Sequence, residues 1–296
     1  MVNFEQRSKG YIEDINNYLV SKLPNEQIPP ANLHQAMHYS VMNGGKRIRP
    51  LLTFASAESL NVEAKLLIPA ASSIELLHSF SLVHDDLPCM DDDDLRRGKP
   101  SVHKQFGEAT AILAADALLS LSFEILASDH SFGSSSSNNA SLITLISSAT
   151  GFVGITGGQQ LDLNAEDKAV EQSELEHIYR QKTGKLIRAC LLAPTCFIDV
   201  SLEKMSALER YADAIGLAFQ IKDDIIEVEG STDEIGKPSS SDRTQQKATF
   251  PKMFGLKESK RRIHELLEVA QNEISVFGKS SQPLESISES IINRKF

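Results

Sequence analysis

Residues 76–98 read LLHSFSLVHDDLPCMDDDDLRRG. The first half is apolar and helical in spacing: Ala70, Ile74, Leu77 and Ser81 recur at helix intervals and lead into Leu82 and Val83. The second half is acid, with six aspartates among the ten residues 85–94. Carboxylates crowded at the end of a buried helix repel one another and need cations. Oxygen-only donors select hard metal ions, and Mg²⁺ is the common one beside phosphates.

Spacing sharpens the reading. Residues i and i+4 share a helix face, whereas Asp85 and Asp91 are six apart. Pro88 lacks an N–H and disrupts a regular helix. A two-residue bulge within 87–90 would bring Asp91 to the place of residue i+4. The pattern then repeats: Ser81-Leu82-Val83-His84-Asp85-Asp86 is echoed 138 residues later by Phe219-Gln220-Ile221-Lys222-Asp223-Asp224. Asp223 and Glu227 are i and i+4, with Asp224 beside them. Two helices that end alike and face each other would put both acid sets around one space.

Basic clusters supply the opposite charge. Gly44-Gly45-Lys46-Arg47-Ile48-Arg49-Pro50 combines paired glycines, which allow close approach, with three cations in four residues, a set able to hold a diphosphate. It lacks the glycine spacing and Ser/Thr of a P-loop. Arg96-Arg97, Lys182-Thr183-Gly184-Lys185 and Lys237 also lie beside expected helix ends. Other residues read plainly. His34 and His38 have zinc-helix spacing, but Gln35 replaces the metalloprotease glutamate. Cys89 is a soft thiol that gains little from Mg²⁺ and reads as a small filler.

Beyond these motifs the chain is helical throughout. Ile112, Ala115, Leu119 and Phe123 keep helix spacing, as do Leu142, Ile146, Ala149 and Val153. So do Leu208, Tyr211, Ile215 and Phe219, and Ile263, Leu266, Leu267 and Ala270. No series of strands joined by two-residue turns is evident. Gly133–Asn139 reads as a surface loop, and residues 1–296 read as a single all-α domain. The 296 residues are 41% hydrophobic and 24% charged, enough for a real core, which excludes a disordered chain. A net charge of −10 disfavours coating nucleic acid or an anionic membrane. Cys89, Cys190 and Cys196 lack zinc spacing and point to a reducing compartment. The mixed charges of residues 1–15 argue against a signal peptide. The longest apolar candidate, Ala111–Ala127, is interrupted by Asp116 and Glu124, so no run is expected to span a bilayer. The expected location is cytoplasmic.

At the two acid runs the chain resembles the trans-isoprenyl diphosphate synthases, most closely the bacterial farnesyl diphosphate synthases. Seven pieces come in family order: GGKRIRP (44–50), LLHSFSLVHDDLPCMDDDDLRRGKPSVH (76–103), FGEATAILAADALL (106–119), GGQQLDL (157–163), KTGKLI (182–187), GLAFQIKDDIIEV (216–228) and GKPSSSD (236–242). The resemblance implies an all-α bundle of long antiparallel helices around a deep central cavity, the isoprenoid synthase fold, working as a homodimer. It implies Mg²⁺-dependent head-to-tail prenyl transfer, condensing isopentenyl diphosphate with dimethylallyl or geranyl diphosphate to farnesyl diphosphate. Three Mg²⁺ per site are expected, with Mn²⁺ able to substitute. By motif match, Asp85, Asp91 and Asp223 are the first-choice ligands, with Asp86, Asp224 and Glu227 beside them. Glu227 stands where the family usually has Asp. Arg96, Lys182 and Lys237 would hold the allylic diphosphate, and Lys46, Arg49, His78 and Arg97 the isopentenyl diphosphate. Thr183 and Gln220 offer oxygen dipoles to the carbocation, and Arg294-Lys295 could close over the site.

Product length is expected to rest on Phe80 and Ser81. At 1.5 Å rise per residue, Phe80 lies roughly 7–8 Å below Asp85 along the helix. Its ring would floor a cavity that the small Ser81 leaves open, and the resemblance agrees that aromatic residues there shorten the product. Alternatives are a geranylgeranyl diphosphate synthase, a terpene cyclase, which has no need of the Lys46/Arg49/His78/Arg97 set, and a non-catalytic subunit, which would have lost acids from one run.

Overall fold

The computed structural model describes residues 3–128, 136–166, 168–229 and 247–294. Lys237, the segment 236–242 and Lys295 lie outside them. The described chain is a helical bundle: α1 (Phe4–Lys22), α2 (Ala31–Met42), α3 (Ile48–Ser59), α4 (Ile68–Asp85), α5 (Val102–Phe106), α6 (Glu108–Ser128), α7 (Ser136–Thr150), α8 (Ile155–Asn164), α9 (Gln172–Tyr179), α10 (Lys185–Leu192), α11 (Leu202–Glu229), α12 (Phe250–Phe254), α13 (Leu256–Ile274) and α14 (Gln282–Asn293). One hydrophobic cluster runs from Phe4 in α1 to Ile291 in α14.

Local chemistry sets the helix ends. Asn3 and Gln6 form a reciprocal capping box at the start of α1. Arg47 turns into α3 with φ of 50°. Its guanidinium lies in the core, 2.8 Å from Glu75 Oε1, and donates to Val41 O at 2.9 Å and Asn16 Oδ1 at 3.0 Å. Arg47 is therefore a structural cation, distinct from its exposed neighbour Lys46.

The acid-bearing helices occupy the middle. α4 is buried almost all round, as a central helix must be, and packs chiefly against α6. α11 runs beside α10 and α13. The expected stripe holds for α11, where Leu208, Tyr211 and Ile215 are fully buried. It is out of phase in α6: Ala111, Ala114, Ala115 and Leu118 face inward, whereas Ile112 and Leu113 are exposed. Alanine, a weak hydrophobe in a sequence pattern, takes the packed face because it permits close helix approach. Of the expected loop at 133–139, residues 136–139 belong instead to α7, and 133–135 lie outside the described residues.

Two irregularities position side chains. Leu95-Arg96 pairs antiparallel with Lys99-Pro100, and Arg97 and Gly98 make its two-residue turn with φ of 55° and 76°. This small hairpin is the exception to the absence of such turns in the sequence reading. Between α9 and α10, residues Arg180–Gly184 form a π-helical turn, a feature often found at functional sites. Gly158 and Gly216 let α8 and α11 close on it. A Cβ at Gly158 would lie 2.2 Å from Lys182 N, and one at Gly216 would lie 2.9 Å from Gly184 Cα.

By length and composition alone, three helices could cross a membrane: Ala64–Asp85, Glu108–Ser128 and Ser137–Asn164. This departs from the expectation that no run is long enough, because one or two charges do not cancel an otherwise apolar 18-residue window. The first is 78% buried inside the protein, but the second and third are only 39% and 33% buried.

Candidate active site

The bulge expected in the first acid run is present. α4 ends at Asp85, residues 87–90 turn back, and the Asp91 amide donates to Asp85 O at 2.8 Å. The carboxylates of Asp85 and Asp91 then share one region with Lys182. Burial pushes the Asp85 carboxyl up to about 6; Lys182 opposes this, and Asp91 adds to it. Burial disfavours the Lys182 charge, but Asp162, Asp85 and Asp91 outweigh it and keep the ammonium protonated. Lys182 Nζ stands 2.6 Å from Asp162 Oδ2.

Asp86 takes a different role. It binds Arg96, whose Nε lies 2.9 Å from Asp86 Oδ1, with Nη2 on the same oxygen. Arg96 also reaches Asp93 Oδ2 at 3.2 Å, and its Nη1 has no partner among the described residues. The hairpin thus fixes Arg96 with one face of its fork left over.

In the second acid run Asp224 is the member enclosed by protein donors. It accepts from Tyr179 Oη, from Phe250 N at 3.0 Å and from Gln220 Nε2 at 3.1 Å. Burial raises its carboxyl to about 7 despite these donors. Asp223 instead meets Arg294, whose Nη2 is 2.5 Å from Oδ1. The guanidinium of Arg294 stacks 4.0 Å from the Phe219 ring centroid and donates to Phe219 O at 3.0 Å. Burial raises the Asp223 carboxyl, opposed by Arg294, Arg49 and Lys46. Glu227 is exposed, one turn further along α11.

Two adjacent residues link the acid runs. Lys182 faces Asp85 and Asp91, while Thr183 Oγ1 donates to Gln220 Oε1 at 2.7 Å, one turn before Asp224. The dipoles of Thr183 and Gln220 are therefore engaged with each other and with Asp224.

A cationic group stands alongside. His78 is held well below its ordinary value by burial and by Arg49, Arg97, Arg96 and Arg47, so its imidazole is neutral. Burial likewise lowers Arg97, which also feels Arg47, Arg96 and Arg49. Arg49 Nε is buried with no hydrogen-bond partner. Lys46 is lowered by burial and Arg294, with Asp223 opposing. Lys46, Arg49 and Arg97 thus supply positive charge suited to an anion, with the neutral imidazole of His78 beside Arg49 and Arg97.

Sequence reasoning gave no role to Asp162, Tyr179 or Lys247. Lys247 Nζ is 2.6 Å from Asp91 Oδ1 and 3.8 Å from Asp162 Oδ2. Nothing in the segment around Lys247 marks it, because its partners come from α8 and the first acid run. Phe80 and Ser81 are both buried, and the Phe80 ring meets His84 edge-on at 4.8 Å. Nearby, ligand atoms of Asp92, Asp94 and His103 lie within 4.8 Å of one another, with Lys104 2.7 Å from Asp94.

The residues fit a divalent metal. Asp85, Asp91 and Asp223 offer only oxygen donors. Both runs already accept positive charge, from Lys247 at Asp91 and from Arg294 at Asp223.

The polyprenyl synthetase family model matches residues 30–281. The chain is 42% identical to a farnesyl diphosphate synthase of Haemophilus influenzae, covering 100% of both chains. It superposes on a geranyltransferase of Legionella pneumophila with a TM-score of 0.88 at 34% identity, covering 99% of this chain and 97% of the other. A geranyltransferase of Helicobacter pylori, solved with magnesium and isoprenyl diphosphate, matches with a TM-score of 0.83 at 30% identity, covering 97% and 95%.

Proposed function

The chain belongs to the polyprenyl synthetase family, and from that premise we propose that it condenses isopentenyl diphosphate head-to-tail with dimethylallyl and then geranyl diphosphate, releasing (2E,6E)-farnesyl diphosphate. The observation that carries the reading is the Lys182-Thr183 step, which joins one acid run to the other. The Lys46/Arg49/His78/Arg97 group favours a synthase over a cyclase, because it supplies a second anion site.

In the reaction the C1–O bond of the allylic diphosphate breaks and its electron pair stays on the diphosphate. The C3=C4 π pair of isopentenyl diphosphate forms the new C4–C1 bond. A proton leaves C2, and the displaced diphosphate accepts it. Bound Mg²⁺, three ions per site in this proposal, supplies positive charge that offsets the charge on the leaving group. Asp85, Asp91 and Asp223 are the residues that would hold it, with Glu227 at the margin. Asp86 and Asp224 act as braces, Asp86 on Arg96 and Asp224 between Tyr179 and Gln220. Lys182 and the open Nη1 of Arg96 hold the allylic diphosphate, together with Lys237. Lys46, Arg49, Arg97 and neutral His78 hold the isopentenyl diphosphate. The Phe80 ring floors the prenyl channel and Ser81 leaves it open above.

The 1–296 chain acts as one domain and as a homodimer. The support is α6, apolar yet little buried, with Ile112 and Leu113 exposed. Three free cysteines fit a cytoplasmic setting. The test is incorporation of radiolabelled isopentenyl diphosphate with Mg²⁺ and dimethylallyl or geranyl diphosphate, followed by product mass analysis. Fifteen-carbon diphosphate is expected. Twenty carbons would favour a geranylgeranyl synthase, and a hydrocarbon from farnesyl diphosphate alone a cyclase.

A further inference from the structure

Gln159 carries an amide that nothing in the protein satisfies. It lies in α8 at 7% exposure, and neither Oε1 nor Nε2 has a hydrogen-bond partner. Leaving a buried polar group unpaired costs about 1–3 kcal/mol. Such a residue calls for an explanation, and a ligand is one.

Its placement indicates which ligand. Gln159 shares a face of α8 with Asp162, three residues on, and Asp162 holds Lys182 Nζ at 2.6 Å. Its neighbour Gly158 abuts the Lys182 backbone, so this face of α8 packs on the π-helical turn that carries Lys182 and Thr183. The dipoles that sequence would assign to a carbocation are ordered by one another and by Asp224. Thr183 donates to Gln220 Oε1 at 2.7 Å, and Gln220 Nε2 donates to Asp224 Oδ1 at 3.1 Å. Gln159, next to the glycine that abuts the same turn, keeps both ends of its amide open.

We propose that Gln159 is a further catalytic residue, its Oε1 turned to the allylic carbocation as the C1–O bond breaks. The inference rests on the prenyl-transfer reading above. The electron pair of that bond leaves with the diphosphate, and the positive charge left on the allyl group meets a carbonyl dipole fixed before the reaction begins. A dipole held ready in a site that excludes water is effective because it needs no reorganisation. The Nε2 donor remains available to a diphosphate oxygen. The unpaired amide of the free protein is thus an instability retained for the transition state.

The experiment compares Gln159→Leu and Gln159→Met with wild type, by thermal melting without substrate and by steady-state kinetics with geranyl and isopentenyl diphosphates. Removing an unsatisfied buried amide is neutral or stabilising, so both variants should melt at or above the wild-type temperature. The kcat should fall about 100-fold, the effect of losing one preorganised dipole, while both KM values stay within about twofold. An unchanged kcat in either folded variant overturns the proposal. So does a lower melting temperature with proportionate loss of activity in both, which would assign the amide to holding the fold. If wild type itself fails to incorporate isopentenyl diphosphate, the prenyl-transfer reading falls instead.

Discussion

The backbone amide of Asp91 donates to the carbonyl of Asp85 at 2.8 Å. This bond closes the bulge at Pro88 and brings together two carboxylates that a regular helix would separate. Met90 N to Leu87 O at 2.8 Å and Asp92 N to Leu87 O at 3.1 Å hold the rest of the turn. The turn of the first acid run is therefore held by its own backbone, with the side chains of Asp86 and Asp91 meeting Arg96 and Lys247.

Asp85→Ala and Asp223→Ala should each lower turnover by several orders of magnitude, on the order of 4 kcal/mol or more, because each unseats charge facing the leaving group. Chelation should abolish activity and Mg²⁺ restore it. Near-normal turnover in either variant under saturating Mg²⁺ would sink the ligand assignment.

The two diphosphate sites should separate kinetically. Lys46→Ala and Arg49→Ala each remove a charge-assisted contact and should raise the KM for isopentenyl diphosphate. Lys182→Ala should mainly lower kcat through slower allylic ionisation. An allylic KM that rises alone in Lys46→Ala would reverse the labels.

Phe80→Ala should open the channel and move product toward twenty carbons, and Ser81→Phe should move it toward ten. Chromatography of dephosphorylated products reads the outcome. A folded Phe80→Ala enzyme that still makes only fifteen carbons places the floor elsewhere.

Glu176 ties α9 to α13 through Arg262, with Nε–Oε1 at 2.9 Å and Nη2–Oε2 at 3.0 Å. Burial raises the Glu176 carboxyl, but Arg262, Gln172 and Arg180 outweigh it and hold it below 4.5. A depressed carboxyl contributes stability that is full above the unfolded value and lost as pH falls through the folded one. Glu176→Gln should therefore lower the melting temperature at neutral pH and flatten its decline on the acid side below about pH 4.5. Parallel melting curves for the two proteins would count against the bridge.

Leu113→Asp should yield a monomer by size-exclusion chromatography with light scattering, since it places a charge on the exposed apolar side of α6. An unchanged dimer would move the interface to another face.

Sequence by itself determined the chemistry and its local grouping. The two acid runs, the need for a cation, the all-helical character and the bulge at Pro88 are set by residue type and near-neighbour spacing, which a helix converts directly into faces. Only the tertiary structure decided which partner each acid meets. Asp86 is tied to Arg96 across 10 residues, and Asp224 to Tyr179 across 45. It also decided that Arg47 is a core ion pair with Glu75 while Lys46, one residue away, is exposed. Lys247 was silent for the same reason, and Gln159, although within GGQQLDL, carried no role. A side chain's partners across elements depend on how helices pack, and a one-residue step along a helix turns it by about 100°. Identical residue types in one motif thus end with different partners.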